Sequence, residues 1–202
     1  MSKRKIGLAM MIIGTISMAA ALGLGGYNLW DDHRAGIQAD ALLQTIIRHQ
    51  KAGGIPSELM SDAGLELLET DGYRYIGTVS IPAIDVTLPV QEDWGPAQMK
   101  ISPCRYMGSP NQGDFIICAH NYAAHFGRLK NLLPGDEAVF TDLEGNEFHY
   151  TVAELEILAD TAVEEMESGA WDLTLFTCTL GGEARVTVRC ELLENREILK
   201  NN

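Results

Sequence analysis

Basic residues are scarce in this chain. Its 202 residues hold 15 Lys and Arg against 28 Asp and Glu, a formal charge of −13. Lys3, Arg4 and Lys5 account for three of the 15, so the rest of the chain sets 12 basic against 28 acidic residues, or −16. So acidic a domain is repelled by nucleic acid, and no basic patch offsets the repulsion, which excludes DNA and RNA as partners. Cysteine is sparse too, with four residues at 104, 118, 178 and 190 and no CxxC pair. A zinc set drawn from Cys118, His120, Cys178 and Cys190 would have none of the usual ligand spacings. Internal repeats and low-complexity stretches are absent, and no second long apolar run lies near the C-terminus.

Charge is missing altogether from Ile6 to Trp30. That run is long enough to cross a hydrocarbon core of about 30 Å as a helix. The three basic residues precede it, so the positive-inside tendency sets the N-terminus in the cytoplasm and the domain outside. Met18–Ala21 resembles a small-residue cleavage site, but the run continues well past it, and an uncleaved single-pass anchor in the cell membrane is expected. Residues 1–30 are thus assigned to the basic tip and anchor, 31–71 to a helical stalk or brace, and 72–202 to the main domain. Asp31–Arg34 reads as a polar break. Ile37, Ala41, Leu42, Ile46 and Ile47 then recur at helical spacing up to Gly53-Gly54, with Pro56 beyond. A second, acidic helix is expected over Ser57–Glu69.

From Tyr73 the pattern turns to short apolar or alternating runs. Tyr75–Ile81, Val86–Val90, Phe115–Ala119, Glu137–Thr141, Glu147–Ala153, Leu155–Leu158, Leu173–Cys178 and Arg185–Leu192 make about eight strands, a mainly β domain closed as a barrel or stacked as a sandwich. The last two carry the most chemical information. Gly181-Gly182 between them suggests a hairpin with a primed two-residue turn. Counting outward, Leu180 faces Glu183, Thr179 faces Ala184, and Cys178 faces Arg185. Facing residues have Cβ atoms roughly 5 Å apart. A thiol is thereby set beside a guanidinium, which suits a nucleophile next to a group that stabilises negative charge on a carbonyl oxygen. Arg189 shares the face but pairs with Thr174, about 13 Å along the strand. The thiolate is the attacking species, so a proton partner is needed. His120 ends the apolar run Phe115–Ala119 and shares parity with Cys118. His125, in the following loop, is the competing histidine. Cys104, Cys118 and Cys190 are expected as small buried apolar side chains, although an exported chain could also bridge them.

These residues also carry a resemblance. Leu173–Cys178 (Leu-Thr-Leu-Phe-Thr-Cys) is similar to the TLxTC signature of sortases, the cysteine transpeptidases of Gram-positive bacteria, with Phe176 at the variable position. Ala119-His120-Asn121 resembles that family's histidine motif, and Arg185 the arginine opening its last strand. Gly77–Val90 resembles its opening strands, and Leu132–Asp136 its "L-x-x-G-D" turn. The resemblance covers roughly residues 72–194.

It implies a closed eight-stranded β-barrel in which Cys178, His120 and Arg185 are catalytic, with Thr177, Ala119 and Asn121 beside the substrate. It implies an LPxTG-like sorting motif as donor and, as acceptor, an amine of a peptidoglycan precursor or another protein's lysine. No cofactor or metal is expected, although some sortases bind calcium near the loop that here carries Glu164, Glu165 and Glu167. His120 and Cys178 lie only 58 positions apart, which leaves little room for the extra helix of haem-acquisition sortases. Without a C-terminal anchor, the housekeeping or sporulation type is favoured over pilus polymerases. Two alternatives stay open: a cysteine protease that releases its acyl group to water, and a tethered β-domain that binds a partner with Cys178 inert.

Overall fold

A computed structural model describes residues 3–52, 59–169 and 171–193. The chain divides into two compact units between Arg34 and Ala35. Helix α1 runs from Lys3 to Lys51 through both. In the first unit its apolar side chains, Met10, Leu22 and Leu29 among them, are exposed. This stretch contains a window long and apolar enough to span a membrane. The polar break at Asp31–Arg34 is one of composition only. The backbone stays helical there, and Arg34 pairs with Asp31 one turn back at 2.9 Å, with its guanidinium 5.7 Å from the Trp30 ring. Pairs at i,i+3 stabilise a helix and do not end it.

In the second unit, α1 buries a face that shares Leu42 and Ile46 with the expected one but is turned towards Ala35, Ala39 and Leu43. Ala35, Ala39, Leu42, Leu43 and Ile46 are enclosed, while Ile37 and Ala41 are exposed. Close approach explains the shift: a Cβ on Gly36 would sit 3.2 Å from that of Ala124, so the small-residue side is the one that docks. At the far end Gln50 donates to the carbonyls of Thr141 and Asp142, at 3.2 and 2.8 Å. The expected helix end at Gly53-Gly54 lies outside the described residues.

The second expected helix does not form over its described part. Met60 bridges to Glu66, and β1 (Leu68–Thr70) is a strand. Gly64, with φ +75°, sits in a tight turn in which Ser61 bonds the backbone of both Gly64 and Leu65, and Leu65, Glu66 and Leu67 are buried in succession after it. Ser57, the start of that expectation, lies outside the described residues.

The remaining strands are β2 (Tyr73–Ile81), β3 (Val86–Gln91), β4 (Cys104–Met107), β5 (Phe115–Cys118), β6 (Glu137–Asp142), β7 (Glu147–Ala159), β8 (Leu173–Cys178) and β9 (Ala184–Leu192). They pair in the order β1-β2-β3-β4-β5-β8-β9-β7-β6, and β6 returns to β2. The result is a closed eight-stranded barrel with β1 as an extra strand, as the resemblance implied. Two expected runs, Glu147–Ala153 and Leu155–Leu158, are one strand, because a bulge between Val152 and Glu154 resets its register against β9 without ending it. The inward faces of the barrel strands, with Phe115, Phe140, Leu175 and Val188, form the core. At the closure Gly77 leaves no room for a side chain, since a Cβ would lie 2.2 Å from the Thr141 carbonyl oxygen.

Candidate active site

The Cys178–Arg185 pairing is present in the register counted from the glycines. Along β8 and β9, Leu173 faces Cys190, Thr174 faces Arg189, and Cys178 faces Arg185. The turn itself is wider than expected. Gly182 N–H donates to the Thr179 carbonyl at 2.9 Å, so Leu180 and Gly181 are the central residues, and Thr179 and Ala184 close the loop. Positive φ at both Gly181 (+94°) and Gly182 (+81°) permits this path. Four loop residues replace two, but the count across the hairpin is the same.

His120 reaches the site through the neighbouring strand. β5 and β8 are parallel, with Cys118 opposite Phe176. Continued two residues, that register sets His120 level with Cys178. Two bonds bracket the level: Thr177 Oγ1 donates to the Ala119 carbonyl at 2.8 Å, and Asn121 Nδ2 to the Thr179 carbonyl at 3.4 Å. The His120 ring stacks on Tyr122, with centroids 4.0 Å apart and planes 13° apart. His125 meets the edge of Tyr122 and is fully buried, whereas His120 is half-buried. Burial removes the competitor from any surface a substrate could reach. Thr177, Ala119 and Asn121 therefore make the strand ties that set the histidine level with the thiol along the two strands, and Thr177 and Ala119, together with Cys178, also line the adjoining cavity.

That cavity, of about 240 Å³, is lined by Cys118, Phe176, Cys178 and Arg185. One wall is aromatic: Trp94 meets Tyr106 at 5.2 Å, and Tyr106 meets Phe176 edge-on at 5.4 Å. The other wall is the short helix α2 (Val163–Glu167), through Val163 and Met166. Tyr106 donates its hydroxyl hydrogen to Glu167 at 2.8 Å. Sequence reasoning missed this aromatic wall. The available signal was Trp94, a tryptophan in a polar loop that remains 53% exposed in the fold.

The two arginines of β9 differ sharply in surroundings. Arg185 lines the cavity and donates through Nη1 to the carbonyls of Gly182 (2.9 Å) and Ala184 (3.1 Å), which holds the guanidinium at the rim. Arg189 is 2% exposed and donates to Glu156, Thr174, Glu165 and Met166. The thiols separate in the same way. All four are free. Burial raises Cys118 and Cys190 to about 12 and pushes Cys104 up as well, while Cys178 is partly exposed. Among the described residues, no three His, Cys, Asp or Glu side chains converge to hold a metal ion.

Comparison with known proteins decides the family. A family model described as the sortase domain matches residues 79–193, more than half of the chain. The chain belongs to the sortase family. It is accordingly an enzyme of the cysteine transpeptidase type. Solved structures agree in fold. A sortase C1 from Streptococcus agalactiae is 26% identical, with a TM-score of 0.55 over 63% of this chain and 72% of its own. Sortase A of Listeria monocytogenes is 24% identical, with a TM-score of 0.54 over 59% of this chain and 88% of its own. A sortase D5 transpeptidase of Clostridium perfringens is 23% identical, with a TM-score of 0.53 over 59% of this chain and 79% of its own. No curated protein matches the sequence. In this sortase the connection from β7 to β8 holds a five-residue helix among its described residues, in keeping with the short spacing between His120 and Cys178.

Proposed function

We propose that this sortase cleaves an LPxTG-like sorting motif and transfers the acyl part to an amine of a cell-wall precursor. The observation that carries the reading is the pairing of Cys178 with Arg185 in the lining of a mainly apolar groove. The Cys178 thiolate attacks the backbone carbonyl carbon of the motif. Arg185 donates to the oxyanion that forms, using N–H groups beyond the Nη1 bonds to its own hairpin loop. The carbon–nitrogen bond breaks, His120 protonates the departing amine, and a thioester remains on Cys178. An incoming amine then attacks the thioester, gives a proton to His120, and releases the thiolate as a new amide forms.

The charge-free helix tethers the enzyme to the cell membrane, with the basic tip in the cytoplasm and the catalytic unit outside, where surface proteins meet wall precursors. The housekeeping or sporulation type fits the short β7–β8 connection, and the reaction calls on no cofactor. The test is a product assay on a peptide carrying Leu-Pro-Glu-Thr-Gly, with and without triglycine. A triglycine adduct that disappears with Cys178→Ala is the expected result. Free acid as the sole product under both conditions would make the enzyme a hydrolase. Turnover by Cys178→Ala would end the reading.

A further inference from the structure

Arg189 has no step in this chemistry, yet its guanidinium makes four hydrogen bonds to fixed partners. From the barrel wall, Glu156 of β7 accepts from Nε at 2.7 Å and Thr174 of β8 accepts from Nη1 at 3.0 Å. Above the wall, Nη1 also donates to the Met166 carbonyl at 2.9 Å and Nη2 to the Glu165 carbonyl at 2.5 Å. Both carbonyls belong to α2, whose last turn has no intrahelical donors for them. A cation at this end of a helix is favourable, and α2 has no basic residue of its own in its last turn. At five residues, with Ala162 at its N-cap and no side-chain cap, α2 cannot hold its shape alone. Its Val163 and Met166 nevertheless form one wall of the Cys178 groove.

We propose that Arg189 is a positioning residue that fixes the α2 wall of the groove, so that the groove is already shaped before a peptide enters. The proposal rests on the groove being the peptide site. It separates the two arginines of β9 by role: Arg185 meets the reacting carbonyl, while Arg189 meets only the protein and acts through Val163 and Met166. Lysine cannot replace it, because one ammonium on a flexible stem does not span two carbonyls, a hydroxyl and a carboxylate.

The test uses the full-length chain in detergent micelles, compared with Arg189→Met and Arg189→Lys. In Arg189→Met, amide hydrogen exchange over residues 163–168 should quicken by about tenfold or more, with β8 and β9 still protected. KM for the Leu-Pro-Glu-Thr-Gly peptide should rise by a similar factor of about ten, while kcat and the rate of Cys178 alkylation by iodoacetamide stay within about threefold. Should Arg189→Met fail to fold, Arg189→Lys keeps a charge at the site and should show the same pattern in milder form. A folded variant with unchanged exchange over 163–168 overturns the proposal. So does faster exchange with KM unmoved, or a loss confined to kcat. A wild-type chain that turns over no sorting peptide would sink the functional reading instead, and the exchange result would still decide whether Arg189 holds α2.

Discussion

Cys178 should be the single thiol that reacts when the folded protein meets a mild alkylator. The perturbation is iodoacetamide at pH 8. Cys118 and Cys190 are raised to about 12 by burial, and each is at most 1% exposed. A thiol at that value is thiolate in roughly one molecule in 10⁴ at pH 8, whereas an ordinary cysteine near 8.5 is roughly a quarter thiolate. Thiolate fraction alone therefore slows these two sites by about 10³ relative to an unperturbed cysteine, before any cost of opening the barrel is added. Cys104 is fully buried and also shifted upward by burial, so it joins them. Cys178 is partly exposed at the cavity rim. The assay is a time course quenched with acid and mapped by peptide mass spectrometry, with a denatured sample to show that all four sites can be labelled. Alkylation of Cys118 or Cys190 at a rate within tenfold of Cys178 would refute the burial argument. An inert Cys178 would refute its role as nucleophile.

Three further outcomes are expected. Arg185→Ala should lower kcat by about 10²–10³, the usual loss for one oxyanion donor, while far-ultraviolet circular dichroism is unchanged. A larger kcat loss in Arg189→Ala than in Arg185→Ala would reverse the roles assigned here. Gly77→Ala should destabilise the barrel by about 4 kcal/mol or more in chemical denaturation, since its Cβ would press on the Thr141 carbonyl and the Phe140 ring at the β2–β6 closure; a near-neutral result would mean that β6 does not pair so closely. Removal of residues 1–30 should release a soluble enzyme that keeps its chemistry on peptides, because Cys178, His120 and Arg185 all lie outside that segment. In intact cells the full-length catalytic unit should be open to added protease, and a unit cut only after lysis would reverse the assigned orientation.

Much of the site was legible because its parts are local. Gly181-Gly182 marks the centre of the connection between two alternating runs, and a four-residue loop centred there gives the same register as a two-residue turn, so Cys178 faces Arg185 even though the turn is of another kind. The apolar run Phe115–Ala119 marked a buried strand with His120 at its end. What could not be read depends on contacts far apart in the chain. β4 is four residues long and half-exposed, with too little alternation to stand out; it is a strand because β5 lies beside it. The docking face of α1 depends on which side meets Ala124. Glu156 and α2 are distant from Arg189 in sequence, so its burial carried no local signal.

The parallel pairing of β5 with β8 has a consequence in time. His120 lies just past β5 and Cys178 ends β8, with the whole of β6, β7 and α2 between them, and their bracketing bonds each link residues 58 positions apart. Closing a loop of that length carries an entropy penalty that local hairpins avoid, so the β6–β7 and β8–β9 hairpins have the kinetic advantage. During folding the β8–β9 hairpin is therefore expected to bring the thiol and the guanidinium together before the histidine joins them. On the proposed mechanism, proton transfer through His120 would become available only when the barrel closes, and an unfinished molecule would not complete the transfer to an acceptor.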